Sequence, residues 1–471
     1  MAPFSFYWHD YETFGIAPRR DRPAQFAGVR TDAELNEIDA TLELFCRPAP
    51  DSLPSPEACL ITSITPQVCE QRGVAERDFA DAIETQLARP GTVGCGYNSL
   101  RFDDEVTRFL FWRNLIDPYA REWQNECGRW DLLDAVRCAW ALRPEGIEWP
   151  QREGGKPSFR LEHLTAANGL AHEAAHDALS DVRATIALAR LVKTKQAKLW
   201  AHCLKLHKKQ AVIDEIGVGR PFVHLSGRYP VERGCMAVVW PLAPHPRFKN
   251  ELIVWDLAHD PRELFALNAG EVRERLFTAA DALPAGQARL PIKTIHLNKS
   301  PIVIANLKTL GAAATRWQID IDQALRHAEV AARQANSMAG IWPEVYERAP
   351  PTGSVDVDED LYGGFLDNDD RRALQRLRAL PPERLVERRP AFNDARLDEL
   401  LLRFRARNHP DMLSGDERAH WQAHCRERWQ AAPAWLERIA ALEATADERG
   451  GCVLAELRRW WQGLHDTGYA P

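Results

Sequence analysis

Phe4-Ser5-Phe6-Tyr7-Trp8-His9-Asp10-Tyr11-Glu12-Thr13 ends a run of strand-forming residues with two carboxylates one residue apart. Alternate side chains of a strand face opposite sides, so Asp10 and Glu12 share a face, and the aromatic residues around them predict a buried central strand. Two carboxylates held side by side repel unless a proton or cation intervenes, and hard oxygen donors suit Mg²⁺ or Mn²⁺. Taken alone, Asp-x-Glu also fits a solvated strand edge.

Working outward, residues 25–30 and 41–46 alternate well enough to form two further strands, and together with the first they predict an antiparallel meander. Helical periodicity spans 76–87, and an apolar run at 92–97 then reads as a buried strand, which makes the architecture α/β. That strand leads to Asp103 and Asp104 at the start of a helix continuing through Phe109 and Trp112. A carboxylate there can cap the helix, which is the default reading of Asp104, while Asp103 serves equally as a cap or as a further ligand. Further helices are predicted from Trp130 to Leu142, from Ser158 to about Gly169, and from Val182 to Lys193. If His176 stands at the start of that last helix and Asp181 one turn inside it, the imidazole overhangs whatever the carboxylate binds. The bland alternative is an exposed helix start with a satisfied histidine.

The chain has 471 residues, which suggests about three domains. No stretch approaches a membrane span, and the N-terminus lacks the pattern of a secretion signal, so a cytoplasmic location is expected. The ten cysteines fall singly, without Cys-x-x-Cys spacing, and are expected to be reduced. A formal charge of -7 does not advertise a nucleic-acid binder, but opposite charges are segregated. Lys193, Lys195, Lys198, Lys205, Lys208 and Lys209 crowd one segment, while Asp356, Asp358, Glu359 and Asp360 form an acidic run that reads as a solvated face. Residues 350–354 have linker composition. From 211 to about 280, short apolar runs alternate with Gly and Pro, suggesting a small β-rich domain. Helical patterns dominate from Asp367 onward, with Trp421, Trp429, Trp435, Trp460 and Trp461 on apolar faces.

The order of these pieces, Asp-x-Glu on a first strand, an Asp after a later strand, then His and Asp around a final helix, resembles the DEDDh 3′ to 5′ exonucleases. The motifs Asp10-Tyr11-Glu12-Thr13-Phe14-Gly15, Asp21-Arg22-Pro23-Ala24-Gln25-Phe26, Arg101-Phe102-Asp103-Asp104-Glu105, Ser158-Phe159-Arg160-Leu161-Glu162-His163-Leu164 and Ala175-His176-Asp177-Ala178 are similar to the bacterial exodeoxyribonuclease I family. So are Leu361-Tyr362-Gly363-Gly364-Phe365 and Arg405-Ala406-Arg407-Asn408, which extends the resemblance over essentially the whole chain.

That resemblance implies an α/β ribonuclease-H-like exonuclease domain (1–195), an SH3-like β-barrel domain with inserted helices (196–350) and a C-terminal all-α domain (351–471). It implies stepwise release of 5′-mononucleotides from the 3′ end of single-stranded DNA, with two Mg²⁺ ions or Mn²⁺ in their place. Asp10, Glu12, Asp103 and Asp181 are then the metal ligands and His176 the general base. Arg160 is the implied phosphate contact, and Glu12 lies near the terminal nucleotide. Arg108, Tyr119, Trp123, Arg137 and Arg143 fall in the DNA-contacting stretches; Phe14 and Phe102 flank metal carboxylates and either stack on a base or pack internally. The C-terminal tail of the single-stranded DNA-binding protein is the implied partner, with Arg316 and Arg326 at the rim of its pocket. A monomer associated with the nucleoid and acting in DNA repair completes the expectation. Two other readings are a non-catalytic DNA-binding or partner-binding scaffold on the same fold and an oligoribonuclease acting on short RNA. Retention of all four carboxylates argues against the first, and the extra C-terminal domains against the second.

Overall fold

The computed structural model describes residues 4–172, 176–334, 338, 340–347, 353, 355–381, 384–387 and 391–466. The linker read at 350–354 lies outside them apart from Gly353, as does Ala175 of the His176 motif. The chain divides into two compact units: 1–128 with 172–186 and 353–471, and 129–171 with 187–352.

In the first unit, β1 (Ser5–Thr13) pairs antiparallel with β2 (Pro23–Thr31), and β2 pairs antiparallel with β3 (Leu42–Phe45). This is the expected meander. Two short helices, α1 (Pro56–Thr62) and α2 (Pro66–Arg72), follow. At about two turns each they are too short to display a hydrophobic repeat, and Pro at the first helical position marks their starts instead. Next come α3 (Glu76–Leu87), β4 (Thr92–Gly96) and α4 (Asp103–Arg113). β4 runs parallel to β1, which places β1 in the interior of the order β3-β2-β1-β4. Tyr7 and Tyr11 of β1 pack with Phe26, Phe79, Val106 and Leu110, so one face of the strand is covered by α3 and α4. Asp10 and Glu12 project from the other.

The periodicity predicts a helix from Trp130, but Gly128–Asp131 is strand β5 and the helix α5 is Leu132–Leu142. Asp131 sets the break, its carboxylate accepting the Leu133 N–H at 2.9 Å as an N-cap. α6 (Leu161–Ala167) starts three residues later than Ser158. α7 (Ala178–Lys195) begins four residues before Val182, which brings Asp181 into its first turn.

The second unit holds five further strands: β6 (Phe222–Leu225), β7 (Met236–Pro244), β8 (Glu251–Asp256), β9 (Ile292–His296) and β10 (Ile302–Ile304). They pair antiparallel in the order β10-β6-β7-β8-β9, an SH3-like half-barrel with helices inserted between β8 and β9. No helix among the described residues is long and apolar enough to cross a membrane.

The C-terminal helices belong to the first unit. Leu397, Leu400 and Phe404 pack on Phe109 and Trp112 of α4, while Trp421, Trp429, Trp435 and Trp461 enclose Phe14, Cys59 and Cys69. A buried ion network ties the same parts together. Asp51 accepts from Arg22 at 2.8 Å and Arg407 at 2.7 Å, and Asp358 accepts from Arg22 at 3.3 Å, Arg403 at 3.4 Å and, closer still, Arg407. The acidic run is therefore not wholly a solvated face, because Asp358 is buried among three guanidinium groups.

Burial pushes the Asp51 and Asp358 carboxyls up, but Arg407 and Arg22 together outweigh it and hold both well below the ordinary range. A depressed folded-state pKa gives stability that is present above the unfolded value near 3.9 and is lost as pH falls toward the folded one. Asp51→Ala, which leaves the two buried guanidinium groups of Arg22 and Arg407 with Asp358 as their remaining shared carboxylate, is expected to destabilise the first unit by about 3 kcal/mol at pH 7. Urea unfolding repeated at pH 7, 4 and 3 checks both points: the gap between wild type and Asp51→Ala should narrow below pH 4.

Candidate active site

Strand alternation, one helix start and one loop build the site. Asp10 and Glu12 lie on β1 with Tyr11 between them, and the Tyr11 N–H donates to Asp103 Oδ1 at 3.2 Å. That bond fixes the first residue of α4 against the strand. Asp103 is thus buried beside β1, and it is a neighbour whose charge acts on Asp10.

The other half comes from the start of α7. Asp177 caps this helix, accepting the Ser180 N–H at 3.1 Å. Gln25, directly opposite Glu12 in the β1–β2 register, donates to Asp177 at 3.1 Å and accepts the Ala178 N–H at 3.3 Å. Residues opposite one another on antiparallel strands share a face. One buried amide therefore anchors the helix start over the face that carries Glu12. His176 precedes the cap in a left-handed backbone conformation, φ +66°, and is exposed. Ligand atoms of Glu12, His176 and Asp181 all lie within 4.8 Å of one another.

Electrostatics sets this cluster apart from an ordinary acidic surface. Burial, then the charges of Asp103, Glu12, Asp181 and Asp177, push the Asp10 carboxyl well above its usual range. Burial, then Asp181 and Asp177, push Glu12 up to about 8. Burial also raises Asp181, partly offset by a hydrogen bond from His172. Carboxylates held together against their own repulsion relax when a divalent cation binds, and an all-carboxylate oxygen set with one imidazole beside it suits hard cations. The residues fit such an ion.

The remaining sequence candidates divide between the units. In the first, Arg108 is buried, with Glu122 engaging it through two bonds of 2.7 and 2.9 Å and Glu105 and the Tyr362 hydroxyl adding two more. Its guanidinium lies 5.2 Å from the Tyr119 ring centroid, so these two candidates meet. Trp123 is 66% exposed. Phe14 packs with the C-terminal tryptophans, and Phe102 packs against the cluster containing Tyr11 and Phe26. In the second unit, Arg137 pairs with Asp134 at 2.7 Å. Arg143 donates to the Leu142 and Thr309 carbonyls. Arg160 is exposed, 3.6 Å from Glu162. Arg316 and Arg326 are exposed as well.

Three residues of the site escaped the sequence reading: Asp177, Gln25 and His172. An Asp just ahead of the helical run could have found Asp177 as a cap, and the meander register opposite Glu12 could have found Gln25. His172 had no local signal.

Three family profiles match the chain: "Exonuclease" over residues 7–189, "Exonuclease I SH3-like domain" over 207–348 and "Exonuclease I C-terminal domain" over 355–464. Exodeoxyribonuclease I of Escherichia coli K12 is 42% identical over 97% of either chain. The chain belongs to the exodeoxyribonuclease I family. Among solved structures, exonuclease I from Methylocaldum szegediense matches at 48% identity and TM-score 0.92, over 98% of this chain and 99% of that one. A zinc-bound complex of E. coli exonuclease I with single-stranded DNA matches at 40% identity and TM-score 0.91, over 98% and 99%. Divalent cations are thus expected of this family, in line with the donor set above.

With Glu12 at about 8, the metal-free site holds protons at pH 7, and an incoming cation must displace them. Calorimetric titration of Mn²⁺ into metal-free protein, in buffers of different ionisation enthalpy, is expected to report net proton release at pH 7. Release should shrink above pH 8 and in Glu12→Gln; equal heats in all buffers would contradict this.

Proposed function

We propose that this chain is a 3′ to 5′ exonuclease that shortens single-stranded DNA stepwise to 5′-mononucleotides. The observation that carries the proposal is the cluster of Asp10, Glu12, Asp103 and Asp181 with His176 at the start of α7. Family membership supports it, since relatives carry the name exodeoxyribonuclease I and one solved relative holds single-stranded DNA.

Asp10, Glu12 and Asp181, with Asp103 acting directly or through water, would hold two Mg²⁺ ions, or Mn²⁺ in their place. Bound there, the ions would supply an activated attacking water and neutralise charge on the phosphate and the leaving 3′-oxygen. His176 is the general base. Its exposed imidazole can accept the proton of the attacking water and release it to solvent, and the left-handed backbone before Asp177 turns it toward Glu12 and Asp181. The β1 strand and the Gln25 anchor hold both halves in place while substrate arrives.

Arg160, Arg137, Arg143, Tyr119 and Trp123 are the proposed contacts to DNA, the arginines by phosphate attraction and the aromatic residues by base stacking. Arg108 is assigned instead to holding Tyr119, because acidic and phenolic partners take up its guanidinium. Phe14 and Phe102 are assigned to packing behind the carboxylates. Arg316 and Arg326 are proposed to meet the acidic tail of a single-stranded DNA-binding protein, and repair is the proposed setting for a cytoplasmic, nucleoid-associated monomer. We retain domain limits of 1–195, 196–350 and 351–471 as the working division.

Single strands labelled at the 5′ end test the reaction. Mg²⁺ should yield a ladder shortening from the 3′ end, chelator should abolish it, and matched RNA or duplex DNA should be cut poorly. His176→Ala should lower kcat by about 10²–10⁴-fold with the melting temperature unchanged. Shortening from the 5′ end, or full activity in that variant, would overturn the mechanism.

A further inference from the structure

His172 sits outside every role assigned above, yet its Nε2 lies 2.5 Å from Asp181 Oδ1, and its side chain is only 8% exposed. An ionised carboxylate can only accept, so the imidazole donates through Nε2. Asp181 stands in the first turn of α7, where the His176 backbone N–H also donates to its carboxylate. The bond from His172 adds a side-chain restraint to that backbone one. It engages one oxygen and fixes the carboxylate plane relative to Glu12 and His176.

We propose that His172 is a positioning residue: it orients Asp181 for a divalent cation from outside the ligand set. The inference rests on the reading of Asp181 as a metal ligand. Partners of this kind commonly alter metal affinity by about 10–100-fold when removed, because the ligand must then be ordered at the expense of binding. The same contact separates the jobs of two histidines four positions apart in sequence. His176, four residues on, is exposed and is placed to meet the reacting water, whereas the His172 side chain is enclosed and meets the Asp181 carboxylate. His172 acts through Asp181 and touches neither DNA nor water in the reaction.

The geometry makes a discriminating pair of variants available. A glutamine amide nitrogen can occupy roughly the place of Nε2, while an asparagine falls short of it. The measurement is Mn²⁺ affinity of the full-length, metal-free protein by calorimetry, alongside the Mg²⁺ dependence of nuclease activity. His172→Asn should weaken Mn²⁺ binding at least tenfold and raise the Mg²⁺ needed for half-maximal rate by a similar factor. The KM for DNA at saturating Mg²⁺ should not change. His172→Gln should stay within about threefold of wild type, in line with a retained hydrogen bond. Wild-type affinity in His172→Asn, or equal loss in both variants, would overturn the proposal. Asp181→Asn separates the two levels: if it too binds Mn²⁺ like wild type, Asp181 is not a ligand and the underlying reading fails. If it loses binding while His172→Asn does not, only the role of His172 is lost.

Discussion

Repulsion between buried carboxylates is the constraint on which this molecule turns. A central strand delivers Asp10 and Glu12 to one face, α4 brings Asp103 alongside, and the first turn of α7 adds Asp181 near Asp177. Each of these placements is unfavourable while the site is metal-free, as the upward shifts at Asp10, Glu12 and Asp181 record. The scaffold withstands the strain because β1 is packed on its other face by an aromatic core and hydrogen-bonded on both edges. Stored repulsion of this kind is what makes a cation site selective for charge and ready to bind it.

A second acidic cluster in the same unit shows why geometry alone does not identify such a site. Asp51, Asp358 and His424 also bring ligand atoms within 4.8 Å of one another, and all three are buried. There, however, Arg22, Arg403 and Arg407 face the carboxylates, and the shifts run downward. Those charges are already neutralised by protein, and the cluster joins the N-terminal strands to the C-terminal helices. The two clusters contain similar donors and opposite electrostatics. One is built to hold itself together and the other to receive something.

Much of this was legible in the sequence. Period-two alternation fixed the shared face of Asp10 and Glu12, and the helix start at Asp103 followed from a polar turn before an apolar run. The His176–Asp181 spacing fitted one turn of helix. What sequence did not display had physical causes. β5 merged with α5 because Trp130, Leu132 and Leu133 continue an apolar run that suits either element, and only the Asp131 cap divides them. Asp358 sat in an acidic run whose composition suggests solvent, whereas its environment depends on arginines from two distant segments of sequence. Arg108 has the residue type of a phosphate contact, but Glu122, fourteen positions away, occupies it through a fold-dependent pairing.

Gln25 carries a consequence for how the protein reaches its active form. Because its side chain spans from the strand opposite Glu12 to the first residues of α7, the helix start can dock only when β1 and β2 pair in the correct register. A slip of one residue would turn Gln25 to the opposite face and put a different side chain across from Glu12. Such a chain could still collapse around its aromatic core, yet it would lack the docked helix that supplies His176 and Asp181. Docking of the helix start therefore works as a built-in check on strand pairing: a copy paired out of register lacks the assembled acidic cluster.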